Sequence, residues 1–353
     1  MKKRKASVIT IIDDISKFRD QYGDKKTIES FEKNVLQVKN CMLSLWFASN
    51  VKGANVKAHE QIVLDSKNVV DNYYFVRDVE GADIKAHEKI VLGSKNSKYS
   101  YCFARDIKGA DIKAHEQIVL DSRDSKYNYY FAKDIKGVDI KAHEQIILDN
   151  NSSAWSYSFA NNIEGADIKA HEKIILASKN AANNYLFAKD IEGADKDAHA
   201  KVVLNSGDSE YNYYFARDIK GANIEAHSKV VINSRKPEEN YYFARDVEGA
   251  DVKKHAKVVI ESRSPYFNYL FARDVEGIDI KPHEQVVLDS RDPEYNYKFA
   301  KDIKGADIKA HRQVLTSSTD SFYRDLFNET FIDIPSADNI NKRILTLKQK
   351  YSK

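Results

Sequence analysis

Ten glycines stand at a constant interval of 28 residues, at Gly53, Gly81, Gly109, Gly137, Gly165, Gly193, Gly221, Gly249, Gly277 and Gly305, with no insertion or deletion between them. Six residues after each comes a histidine: His59, His87, His115, His143, His171, His199, His227, His255, His283 and His311, which are all the histidines of the chain. A fixed period of this size means one small supersecondary unit repeated in tandem. Such a unit cannot bury its apolar face alone and becomes stable by stacking on its neighbours.

Each repeat reads as two short helices. Pro237, Pro265 and Pro293 occupy the same place, twelve residues before the glycine, and Ser264 and Asp292 directly precede two of them. Proline is tolerated in a first helical turn and Ser or Asp caps one, so a first helix of about eleven residues starts there. It is expected to stop at the glycine, which takes a left-handed backbone without a Cβ penalty. An Asp or Asn two residues later (Asp307, Asp279, Asn223) caps a second helix, and Pro282 lies in its first turn. Helical spacing puts Asn296, Phe299, Ala300 and Ile303 on one stripe of the first helix, and Ile112, His115, Ile118 and Val119 on one stripe of the second. The expected fold is all-α, a right-handed α-solenoid of ten 28-residue helix-turn-helix repeats with helical caps. Its divisions are a cap over 1–40, the array over 41–316 and a cap over 317–353.

Both ends depart from the pattern. Helices are expected over 6–20 and 27–39, and a last basic helix from Ser336 to near Tyr351. In the first repeat Leu45-Trp46-Phe47-Ala48-Ser49-Asn50 replaces the usual Tyr-Tyr-Phe-Ala-Arg-Asp. The fifth and sixth are irregular: Trp155 stands for a tyrosine, Asn161 and Asn162 for a basic–acidic pair, and Lys196 for an otherwise constant Ile or Val. The stretch from about 150 to 205 is therefore expected to be the softest or most specialised.

Charge is high and balanced. Residues 41–320 hold 40 Lys/Arg against 43 Asp/Glu, which counsels against a polyanion grip along the repeats. Two cysteines without metal-ligand spacing suggest a reduced, cytoplasmic setting. The basic start Met1-Lys-Lys-Arg-Lys mimics a signal peptide, but Asp13 and Asp14 end the apolar run that follows, and no segment is long enough to span a bilayer.

The histidines invite a metal reading that geometry resists. Zinc needs ligands about 2.0–2.1 Å from the ion, whereas equivalent residues of adjacent repeats lie a helix spacing apart, about 9–10 Å. They are expected to form a hydrogen-bonded core ladder; no metal, cofactor or catalytic residue is assigned, and no repeat is set apart by a distinct cleft. The aspartate three residues before the glycine (Asp106, Asp134, Asp218, Asp246, Asp274, Asp302) lies where the helix dipole disfavours negative charge. A backbone N–H, a neighbouring histidine or the preceding Arg or Lys is expected to compensate it. The candidate partner-binding stripe is on the first helix: Tyr74, Arg77, Tyr130, Lys133, Tyr214, Arg217, Tyr242, Arg245, Arg273 and Lys301. Tyrosine and arginine suit protein recognition, and they also suit stacking on single-stranded bases.

The repeated Tyr-x-Phe-Ala-Arg/Lys-Asp-Ile/Val-x-Gly-Ala-Asp-Ile-Lys-Ala-His-Glu motif resembles two-helix repeats of uncharacterised bacteriophage and bacterial mobile-element proteins, and is more loosely similar to HEAT-like and leucine-rich-variant α-solenoids. Over residues 41–316 the resemblance implies a viral or mobile-element binding scaffold acting on a host factor, and it brings no catalytic residues. The expected function is a non-enzymatic scaffold for a protein or peptide partner, with a nucleic-acid-binding solenoid as the alternative, and without a membrane or metal partner.

Overall fold

Where each first helix ends decides how a repeat closes. In the tenth repeat the helix Pro293–Asp302 stops one residue before Ile303, which is buried and extended at φ −100° and ψ 115°. Ile303, Lys304, Gly305 and Ala306 then form a β-turn, closed by the Ala306 N–H donating to the Ile303 carbonyl at 3.2 Å. Gly305, third in the turn, has φ +91°, the position at which this turn type requires a positive φ. The expected halt at the glycine is thus corrected by three residues. The β-branched Ile or Val leaves the helix early because its side chain is drawn into the core as an extended residue.

The structure, a computed structural model, describes residues 25–331 together with Ile12, Asp14, Ile15 and Lys17. The expected helix over 6–20 lies largely outside the described residues, and the expected basic helix from Ser336 lies wholly outside them. The fold is all-α: twenty-two helices follow one another from Lys25–Val38 to Ser321–Phe331, with no strand among the described residues. The chain divides into two compact parts, 1–178 and 179–353, and the division falls between the fifth and sixth repeats. Within each part the repeats stack as in an α-solenoid, first helix against first helix and second against second.

Caps follow the local chemistry. The side chains of Asp111 and Asp139 accept the N–H of Ala114 and Ala142 at 3.1 Å each, and Asp292 caps the helix whose first residue is Pro293. Pro282 shifts its helix start one residue later, to Lys281, so that Asp279 accepts the Lys281 N–H instead. The 28-residue register also extends past the expected array. Phe327 is buried at the repeat phenylalanine position, and Glu32 and Val35 hold the places of Glu60 and Val63.

The core of each layer is a phenylalanine on the first helix and, on the second, a β-branched residue or, in the tenth repeat, Leu315. Phe103 and Val119, and likewise Phe243 and Val259, are fully buried. In every repeat the phenylalanine ring lies beside the histidine ring, with centroids 4.7–5.4 Å apart. Lys196, exposed at the start of Lys196–Ser206, does not enter the core as Ile112 and Ile224 do at its equivalents.

The link from one repeat to the next turns on a second left-handed residue, and here the chain uses glycine only once, at Gly207 (φ 69°). Lys67, Lys95, Arg123, Asn151, Lys179, Arg235, Arg263 and Arg291 fill the equivalent places at φ 52–55°. An L-residue held there costs about 1–2 kcal/mol relative to a right-handed conformation. Arg263→Gly is therefore expected to raise the thermal midpoint, by about 1 kcal/mol of stability. Gly137→Ala should lower it by a similar amount: at φ +78° an added Cβ meets nothing within 4 Å, so strain acts alone. Melting curves that move neither variant, or that fall for Arg263→Gly and rise for Gly137→Ala, would contradict the assignment of both joints.

Candidate functional site

In six repeats the aspartate at the end of the first helix finds a tyrosine partner in the preceding repeat. Tyr73, buried eight residues before its glycine, donates its hydroxyl to Asp106 Oδ2 at 2.5 Å. Tyr213 does the same to Asp246 and Tyr241 to Asp274 at 2.5 Å each, and Tyr269 to Asp302 at 2.6 Å. Tyr101 and Tyr185 bond Asp134 and Asp218 likewise. Tyr297 ends the row on Thr330, at 3.1 Å.

Arginine supplies the other half. Arg105 grips Asp106 through Nε and Nη2 at 2.7 and 2.9 Å, and its Nη1 donates to the Tyr101 hydroxyl at 2.9 Å. Arg217, Arg245 and Arg273 repeat all three bonds. Arg77 keeps the bidentate grip on Asp78. These cations hold the carboxyls of Asp106, Asp218 and Asp274 below the usual range, while burial and the facing aspartate push the Tyr73, Tyr101, Tyr213 and Tyr241 hydroxyls up to about 12. The preceding Arg thus compensates the aspartate, as one of the three expectations has it, and the tyrosine hydroxyl was not foreseen. Its signal lay in the motif: tyrosine holds that place in repeats two to ten and Leu45 in the first.

The stripe residues take these positions. Arg77, Arg217 and Arg245 lie over the rings of Tyr74, Tyr214 and Tyr242, the guanidinium carbon 4.5–5.1 Å from the centroids. Arg273 lies over Tyr269 at 5.2 Å, and Lys301 and Lys133 over Tyr297 and Tyr129 at 5.6 Å each. Tyr130 packs on Tyr129 and on Trp155, their centroids 5.3 and 6.0 Å from its own. Asn162 turns its amide back to the Ser158 carbonyl at 2.7 Å, and Asn161 is exposed.

The second polar system is centred on the histidines, which are fully buried or nearly so. In seven repeats, His87, His143, His199, His227, His255, His283 and His311 bond their own asparagine through Nδ1 at 2.7–2.8 Å. Asn72 and Asn128 donate their amides to the Val63 and Val119 carbonyls of the preceding repeat at 3.0 Å. This orients the amide oxygen toward the ring as acceptor, so Nδ1 carries a proton. On the other edge, Glu60, Glu88, Glu116, Glu144 and Glu284 reach from the preceding repeat. Their Oε1 accepts the cap N–H of Asp83, Asp111, Asp139, Asp167 and Asp307 at 2.5–2.7 Å and lies 3.2–3.4 Å from the histidine Nε2. Ser44, Ser100 and Ser156 replace the asparagine in three repeats, and there His59, His115 and His171 keep a buried Nδ1 without a protein partner.

Four repeats lack the glutamate: Ala200, Ser228, Ala256 and Arg312 occupy its place. Ser228 Oγ meets His255 Nε2 at 2.9 Å. Ala256 leaves a pocket in its stead: the opening between the second helices of repeats eight and nine measures about 730 Å³ and is lined by Ala256, Pro282 and His283. The expectation that no repeat is set apart by a cleft is therefore corrected. Among the described residues no three His, Cys, Asp or Glu side chains gather as a group able to hold a metal ion, and no helix is long and apolar enough to cross a membrane. Compared with family models, curated proteins and solved structures, the chain matches none.

Burial lowers the histidine pKa values, to about 4 for His143, His227, His255, His283 and His311. As pH falls below the ordinary value of 6.5, the unfolded chain takes up protons that the folded chain refuses. Stability is therefore full above about pH 7 and falls between 6.5 and 4. A melting temperature that stays level from pH 7 to pH 4.5 would contradict the neutral, buried state of these rings.

Proposed function

We propose that the chain is a non-enzymatic scaffold that binds a protein or peptide partner through the first-helix stripe of tyrosine and arginine. The observation that carries this reading is that the stripe arginines are already neutralised and held in place. Arg217 and Arg245 each grip an aspartate with two bonds and lie against tyrosine rings. Rings and guanidinium planes fixed in this way lose little side-chain freedom on contact, which favours protein recognition by tyrosine and arginine. A phosphate backbone would instead need cations free to replace its counterions, so the pairing weighs against the nucleic-acid alternative. The setting implied by the resemblance, a phage or mobile-element protein acting on a host factor in the cytoplasm, supplies the extract in which to look.

The test compares the wild-type chain with a Tyr214→Ala, Tyr242→Ala double variant in capture from nuclease-treated host extract, alongside single-stranded oligonucleotide titrations. The expected result is a defined protein partner that survives nuclease and is lost with the double variant, with no micromolar oligonucleotide binding at physiological salt. Loss of all partners on nuclease treatment would overturn the reading. So would oligonucleotide affinity falling with salt at a slope of about 0.7 per phosphate contact.

A further inference from the structure

The eighth and ninth repeats break the glutamate ladder at a place where the rest of the site is kept. His283 is 1% exposed, its Nδ1 is bonded to Asn268 Oδ1 at 2.8 Å, and its ring lines the 730 Å³ pocket. The Asn268 amide donates to the Val259 and Ser264 carbonyls at 2.9 and 2.8 Å, so its oxygen must face the ring. Nε2 is then the edge left for a ligand, and among the described residues no bond or ion pair is made to it. The cap N–H of Asp279 is likewise without the carboxylate to which its equivalents in five repeats donate. In five other repeats one glutamate oxygen sits on this same pair of groups, at 2.5–2.7 Å from the cap nitrogen and 3.2–3.4 Å from Nε2.

Three departures from the repeat converge on this gap. Ala256 stands for glutamate, Ile278 for the usual alanine, and Pro282 for the usual alanine, and all three line the pocket. The first empties the slot, while the other two add apolar wall around it. Lys253 and Lys257 stand at the mouth beside Asp251, Glu261 and Glu276, so the rim does not itself select an anion. Selection rests on the floor, where a buried imidazole and a helix-start N–H meet one oxygen.

We propose that this pocket binds a carboxylate carried on a short unbranched aliphatic arm, which takes the place of the missing glutamate. One carboxylate oxygen accepts the Asp279 N–H and approaches His283 Nε2, the arm packs on Ile278, Pro282 and Ala256, and one proton from solvent is shared between carboxylate and imidazole. The site lies on the second helices, apart from the first-helix stripe, and does not depend on what the stripe binds.

The full chain, labelled at its histidines and backbone amides, is titrated with butyrate, with butyramide and 1-butanol as uncharged counterparts, and with a blocked Ala-Glu-Ala peptide as the second source of the same group. Saturable shifts of the His283 ring and Asp279 amide resonances are expected with butyrate at about millimolar concentration, and at least tenfold weaker with the uncharged pair. The peptide binding more tightly than butyrate assigns the site to a protein side chain, and the reverse assigns it to a free acid. In Ala256→Glu the response should vanish and the thermal midpoint should rise, because the chain's own glutamate fills the slot. Butyramide binding as well as butyrate, no saturable shift in the wild-type chain, or an undiminished response in folded Ala256→Glu would each overturn the proposal. The wild-type titration decides alone if the variant fails to fold.

Discussion

A buried tyrosine hydroxyl on the aspartate of the following repeat is the bond on which the stacking depends. Two helices of about ten residues cannot hold together in water on their own, and apolar contact alone would let one pair slide or rotate on the next. The tyrosine–aspartate bond has one geometry. It is made from a side chain that is itself core, since Tyr213, Tyr241 and Tyr269 are 2–5% exposed, to a carboxylate that the helix dipole would otherwise disfavour. Arginine closes the cluster by gripping the same carboxylate and lying over the tyrosine rings. Because those pairs are near the surface, each ion pair adds at most about 1 kcal/mol, and the specificity comes from the buried hydroxyl.

The histidine system makes the same connection on the other side of each layer. Asparagine ties its ring to the carbonyl at the end of the preceding second helix, and glutamate ties it to the preceding repeat through a cap N–H. Satisfying a buried polar group in this way leaves few alternative packings, because a slipped register would strand donors and acceptors that cost about 1–3 kcal/mol each when unpaired. The first repeat shows the rule by exception: Leu45 offers no hydroxyl, and Asp78 relies on Arg77.

Much of this was legible in the sequence. The period, the first-turn prolines at Pro237, Pro265 and Pro293, the Asp and Asn caps and the inward stripe of Asn296, Phe299, Ala300 and Ile303 all follow from local propensity and helical spacing. The early exit of Ile303 from its helix did not, because glycine is the stronger punctuation mark and draws the boundary toward itself. Nor did the left-handed Lys and Arg residues, which carry no local signature. The bond from Tyr241 to Asp274 spans 33 residues, more than one period, so inspection of a single repeat cannot find it. The pocket beside His283 was missed for a related reason: Ala256, Ile278 and Pro282 look like scattered drift until two repeats are laid against each other.

The most direct test of cross-repeat bonding is a double-mutant cycle on Tyr241→Phe and Asp274→Ala, read by chemical denaturation. Each single change removes the hydroxyl–carboxylate bond, and the cycle cancels the separate loss of the Arg273 grip. A coupling energy of about 1 kcal/mol is expected. Strict additivity of the two changes would contradict the account.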